Sequence, residues 1–161
     1  MKILFSFSLY AKEPTMAILK EIVTNNIQKF GIGNYTFYCT PYGLLTLDDI
    51  YMSKSISSGC KKKVDEFFIQ RPDLKYFTNL KMKREQMYRI EIKNQQCVIY
   101  VDGQRTLAES LLKAGLAVVK PTFRDEEFRS YFKKAQRIGK YHKNGIHKDN
   151  ILRACLIDIY K

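Results

Sequence analysis

Apolar residues change their spacing several times along this chain, and each change marks an element. Tyr88, Ile90 and Ile92 alternate with Arg89, Glu91 and Lys93, the period-two pattern of a half-buried strand. Asn94-Gln95-Gln96 reads as a turn into a second apolar run, Cys97 to Val101, and Asp102-Gly103 as the next turn. Thr106-Leu107-Ala108-Glu109 is a capping-box sequence, in which a hydroxyl and a carboxylate satisfy free backbone donors at a helix start. Leu107, Leu111 and Leu112 are spaced as that helix's buried face, and Gly115 stops it. Another apolar strand ends at Pro121. A long helix is predicted from near Asp125, burying Phe128, Tyr131 or Phe132, Ala135 and Ile138. Its acidic start and basic end suit the helix dipole.

Upstream, Leu19, Ile22, Val23, Ile27 and Phe30 recur at helical spacing, with Thr15 placed to cap the helix and Gly31 to end it. Tyr35 to Ile50 reads as two short strands around Pro41-Tyr42-Gly43, and Ser53 to Ser58 as a polar loop. A helix from about Gly59 to Gln70 sets Cys60, Val64, Phe67 and Phe68 on one side and Lys61, Lys62 and Lys63 on the other; Pro72 ends it. The run Ile151 to Ile159 is apolar enough for a closing strand or helix. At the N-terminus, Phe5, Phe7 and Leu9 alternate with Ser6 and Ser8 as in a strand. The same stretch has the outline of a signal peptide, and Met1 also suits the start of a piece of something longer.

Strands followed by small helices, with a β meander in the middle, predict an α+β fold. The architecture expected is a five-stranded OB-type Greek-key β-barrel decorated by about three helices. Residues 1–34 read as an N-terminal strand-and-helix extension and 35–161 as the barrel domain. A chain of 161 residues can bury a proper core, and 45% apolar residues argues against wholesale disorder. No apolar run approaches the roughly 20 residues of a membrane span.

Charge narrows the partners. Lys and Arg number 28 against 16 Asp and Glu, a net +12. Such a field favours polyanions, nucleic acid first and anionic membrane surfaces second; the bland alternative is a solubilising surface. Cys39, Cys60, Cys97 and Cys155 show no CxxC spacing, and His142 and His147 are the only histidines, so no zinc site is expected. Four cysteines permit two disulfides in three pairings, or four buried thiols.

The order of Tyr100 to Gly103, Leu107 to Ala117, the helix around Ala135, and then Gly145-Ile146 resembles the second half of a staphylococcal-nuclease-like (thermonuclease) domain. His147 stands where that family has Trp; it reads as a packing substitute, with a catalytic base as the rival. The resemblance implies a Ca²⁺ ion held by carboxylates, a Glu handling water, and two Arg on the phosphate, as pentacovalent phosphate chemistry requires. The first acidic block of the family falls on Phe30 to Tyr42, which contains no acidic residue. The second falls on Gly43 to Tyr51, where Asp48 matches the metal-binding Asp but Gly43 replaces the Arg and Tyr51 the Glu. The third block carries the other Arg, and its position falls on Asn94. Asp48 and Asp49 are therefore weak metal candidates, with capping or turning the chain as the alternative. Losing one charged catalytic group commonly costs on the order of 10² in rate, so losing several predicts a nuclease-like fold with no catalytic residues and no cofactor. The secreted character of the family implies at least one disulfide.

Binding is what remains. The candidate DNA contacts are Lys61, Lys62, Lys63, Lys81, Lys83, Arg84, Arg89, Lys133, Lys134, Arg137, Lys140 and Lys143, with Tyr76, Phe77, Tyr88, Tyr131 and Tyr141 among them. Nothing in them reads bases, so sequence-independent binding to single- or double-stranded DNA is expected. The block from Tyr35 to Tyr51 is also similar to nuclease-like domains of epsilon-proteobacteria. That implies a periplasmic or secreted place and DNA capture during natural transformation, with other uptake proteins as partners. The alternatives are a Ca²⁺-dependent nuclease with relocated residues and a protein-interaction module.

Overall fold

The computed structural model describes residues 14–159. The strand expected over Phe5 to Leu9 lies outside them. In chain order the elements are β1 (Thr15–Ile22), β2 (Gln28–Ile32), β3 (Tyr35–Cys39), β4 (Leu44–Thr46), α1 (Leu47–Met52), α2 (Ser58–Gln70), α3 (Pro72–Lys75), α4 (Phe77–Lys81), β5 (Met87–Lys93), β6 (Gln96–Asp102), β7 (Arg105–Thr106), α5 (Leu107–Ala114), β8 (Ala117–Val119) and α6 (Glu126–Tyr141). A 3₁₀ turn (Gly145–Lys148) and α7 (Asn150–Asp158) complete them. The fold is α+β. A six-stranded antiparallel sheet runs β3-β2-β1-β5-β6-β7, and β4 pairs with β8 in a second, two-stranded sheet.

The helix expected after Thr15 is a β-hairpin. Ala17 and Leu19 are buried on one face of β1, and Thr15 pairs with Ile90 instead of capping anything. Two causes defeat the helical stripe. Its residues are mostly β-branched, which lose side-chain freedom in a helix. Thr24-Asn25-Asn26 is also a turn sequence: the Thr24 hydroxyl accepts the backbone N–H of Asn26 and of Ile27, at 3.0 and 3.1 Å. The two strands on either side of this turn lie at the middle of the sheet, not outside it.

The six strands do not close into a continuous barrel. Past Cys39 the chain reaches β6 at one point, a parallel bridge between Pro41 and Cys97. The Cys97 N–H donates to Thr40 O (2.9 Å) and the Tyr42 N–H to Cys97 O (3.0 Å). Proline has no N–H, so the ladder cannot run on through Pro41. A disulfide between Cys39 and Cys97 holds the seam, and Cys60–Cys155 ties α2 to α7.

Downstream of β5 the elements follow the sequence pattern. Asn94 and Gln95, both with positive φ, make the β5–β6 turn. Thr106 and Glu109 form the capping box of α5, and Leu107, Leu111 and Leu112 are buried. The exposed Tyr131 gives the buried position on α6 to Phe132, beside Phe128 and Ala135. Ile151 to Ile159 is helical, and Cys155, Leu152 and Leu156 face the core. Two short helices after Pro72, α3 and α4, have no counterpart in the sequence reading. They hang on Asn25, whose amide donates to Leu74 O (2.8 Å) and accepts from the Thr78 N–H (2.9 Å).

His147 belongs to the core. It is 9% exposed, packs by Gly139, and neither ring nitrogen has a hydrogen-bond partner among the described residues. Its neighbour Gly145 lies backbone to backbone with Gly115, where the Ile146 N–H donates to Gly115 O at 2.9 Å. A Cβ on Gly115 would collide with the carbonyl of Asn144, and its φ of +70° also favours glycine. Burial, then the cations Lys140 and Arg153, hold the His147 pKa below its ordinary value.

A depressed histidine pKa means the unfolded chain takes up the proton first. The stabilisation is complete above the unfolded pKa and is lost as pH falls through it toward the folded value. Denaturant melts should therefore show His147→Phe losing less stability than the parent between neutral and mildly acidic pH. Replacing Cys39 and Cys97 together by Ser should cost about 2–5 kcal/mol. Hydrogen exchange should then show the Tyr42 and Cys97 amides losing protection before those of the β1–β2 pair.

Candidate nucleic-acid interface

α6 presents the best-formed basic surface. Phe128, Phe132, Ala135 and Gly139 bury one side of it. Lys133, Arg137 and Lys140 stand at i, i+4 and i+7, and so share the opposite side. All three are exposed, and none has an ion-pair partner among the described residues. Lys134 lies to one flank, with Tyr131 (60% exposed) and Tyr141 (84% exposed) along the same side at i−3 and i+7. Lys143 follows the helix at a positive φ of 52°.

Lys61, Lys62 and Lys63 lie in the first half of α2. Lys63 is engaged with Glu66 at 2.9 Å, which holds its pKa up. Asp149, at the head of α7, also acts on Lys63, while Lys140 and Arg153 act on His147. The turn at residues 145–149 packs against α6 and α7, and α7 packs against α2.

The candidates from Lys81 to Arg89 form no such row. Nearby Lys93 is taken up by Asp125 (3.2 Å) and Glu127 (3.0 Å) and sits 4.6 Å from the Phe128 ring centre. Burial lowers its pKa, but those hydrogen bonds outweigh burial and leave it raised. Arg89 lies over Tyr100, 3.7 Å from its ring centre, and donates to Gln104. Lys81 caps the Phe77 ring at 5.3 Å. Lys83 and Arg84 are exposed in the α4–β5 connection. Lys29, hidden in the sequence by the helical spacing around it, sits 5.7 Å over exposed Tyr38 on the β2–β3 pair.

The positions matched to the hydrolytic residues have other employment. Gly43 has a φ of +73° and a Cβ there would run into the Phe123 ring, so no side chain fits. Asn94 is in the β5–β6 turn. The Asp49 carboxylate accepts from the Thr46 N–H (2.6 Å) and hydroxyl (3.1 Å), a capping box for α1. Asp48 accepts from the Asn26 N–H at 3.2 Å; burial raises its pKa and the bonds from Thr24 and Asn26 oppose that. Phe30 to Tyr42 covers the β2–β3 hairpin and the segment leading to β4. The turn that meets Asp48 is Thr24–Asn26, which also lacks a carboxylate. Among the described residues no three of His, Cys, Asp and Glu gather as a metal site.

Asp48 lines a cavity of about 730 Å³ together with Tyr51, Asp65, Phe68 and Tyr76. The Tyr51 hydroxyl donates to Asp65. Desolvation, then the bond to Asp65, raises the Tyr51 pKa, and the charge of Asp48 adds to this. Asp48 and Tyr51 stand out in the sequence but the cavity does not, because α3, α4 and the turn after β1 supply part of its wall.

Among the described residues no helix is long and apolar enough to cross a membrane. No protein-family model matches the chain, and no curated protein is significantly similar to it.

Proposed function

We propose that this is a non-catalytic, sequence-independent DNA-binding domain built on a partly open OB-type barrel of the staphylococcal-nuclease-like kind. The strand neighbours β1-β2-β3 and β1-β5-β6, together with the parallel Pro41–Cys97 bridge, support that fold reading. The single observation that carries the function is the exposed side of α6, where Lys133, Arg137 and Lys140 stand in a row without an ion-pair partner among the described residues. Rows of uncompensated cations release counterions from a phosphate backbone and need no base contacts. Tyr131 and Tyr141 beside Lys134 offer ring faces to unpaired bases. Two disulfides favour an oxidising compartment, periplasmic or extracellular, which suits capture of incoming DNA. The absence of catalysis is inferred from Gly43, Tyr51 and Asn94 at the matched positions.

A random oligonucleotide should bind at low salt, single- or double-stranded, with affinity falling steeply as salt rises. Replacing Lys133, Arg137 and Lys140 together by Gln should weaken binding and lower the salt slope by about 2–3 units. Undetectable binding of the parent, or an unchanged slope in the variant, removes the reading. Ca²⁺ should produce no cleavage; cleavage lost in Asp48→Ala would make the domain a nuclease instead.

A further inference from the structure

The cavity at Asp48 has the wrong charge for DNA. Among the described residues it is lined by Asp48 and Asp65 with one cation, Lys75, in a chain that carries +12 overall. Lys75 makes no ion pair with either carboxylate, and its ammonium is turned to the Tyr76 ring at 5.9 Å. The remaining walls are largely apolar or aromatic: Ile22, Val23, Phe68, Ile69 and Tyr76. At about 730 Å³ the space is that of a small-molecule site.

We propose that this cavity binds a free organic ammonium compound with an apolar body, the ammonium held between Asp48 and Asp65 and the body lying against Phe68, Ile69 and Tyr76. Tyr51 lines the cavity with both carboxylates. It donates its hydroxyl to Asp65 and is acted on by the charge of Asp48. Each carboxylate retains acceptor capacity after these bonds, because an ionised carboxylate offers about four acceptor sites. An ammonium supplies donors to both, and aromatic faces favour its charge and its carbon body alike. A hard divalent ion suits the space poorly: it wants six or more oxygens, and no three acidic or imidazole groups gather among the described residues. The cavity is a different surface from the basic side of α6, so this inference stands whether or not DNA binds there.

Phenethylamine is the probe, titrated into isotope-labelled protein at low salt with no nucleic acid present. Amide signals of Thr24, Tyr51, Phe68 and Tyr76 should shift and saturate. Phenethyl alcohol, which has the same body without the charge, should bind about tenfold more weakly or worse. Asp65→Asn, on the exposed side of α2, and Asp48→Asn each keep an acceptor for the existing donor, and each should weaken the amine several-fold while leaving the melting curve in place. No shift with the amine, equal binding of the alcohol, or undiminished affinity in both variants overturns the proposal. So does Ca²⁺ displacing the amine from the same residues, since the site would then be a metal site. Tighter binding of Nα-acetyl-lysinamide than of phenethylamine would overturn the free-compound reading in favour of a protein lysine.

Discussion

The seam between Cys39 and Cys97 sets the arrangement of everything after β3. β3 is an edge strand on one side of the sheet, and β6 lies beyond β2, β1 and β5. Joining them by the Pro41–Cys97 bridge and the disulfide requires the sheet to curl, which turns Leu19, Phe30, Ile90 and Ile99 toward a common interior. The proline limits the join to one rung, so the backbone ladder that would close a barrel is replaced by a covalent bond. Immediately beyond the seam, Gly43 passes against Phe123 where no side chain could fit, and the chain enters β4 beside β8. The same tight passage that makes the fold leaves position 43 unable to hold an arginine.

A second close approach orders the C-terminal half. Gly115 ends α5 in a left-handed conformation and meets Gly145 backbone to backbone. Asn144 reinforces this by donating its amide to Lys113 O at 2.8 Å. These contacts fix where α6 must end and α7 must begin. They also enclose His147, whose ring nitrogens find no hydrogen-bond partner among the described residues. The basic surface is thus a consequence of packing on its buried side: Phe128, Phe132 and Ala135 decide which residues of α6 look outward.

Legibility in the sequence depends on how local the determinants are. The capping box at Thr106, the glycine stop at 115 and the alternation over Tyr88 to Ile92 act within a few residues, and each forms the element its pattern predicts. β1 and β2 are hidden because Leu19, Ile22 and Phe30 fit a helical spacing by coincidence, while the Thr24-Asn25-Asn26 turn between them is short and carries no glycine or proline. α3 and α4 owe their place to a buried Asn25 about fifty residues earlier in the chain, which no window of sequence reveals. For the same reason Asp48 stands out in the sequence, whereas its cavity does not.

The distribution of charge follows from these placements more than from composition. A chain with a net charge of +12 still places two carboxylates at one cavity, because Asp48 and Asp65 line it beside Phe68, Ile69 and Tyr76, while Lys133, Arg137 and Lys140 stand on the exposed side of α6. Where cations and carboxylates do meet, as at Lys93 with Asp125 and Glu127, they cancel beside the aromatic rings of Tyr42 and Phe128 and serve the core. Low local dielectric strengthens fields inside a concave site and solvent screens those outside it. On the reading proposed above, a polyanion meets the α6 surface as a salt-sensitive attraction, and the same molecule offers a cation a sheltered site of opposite sign. On that reading the two surfaces select different partners by the sign of their charge.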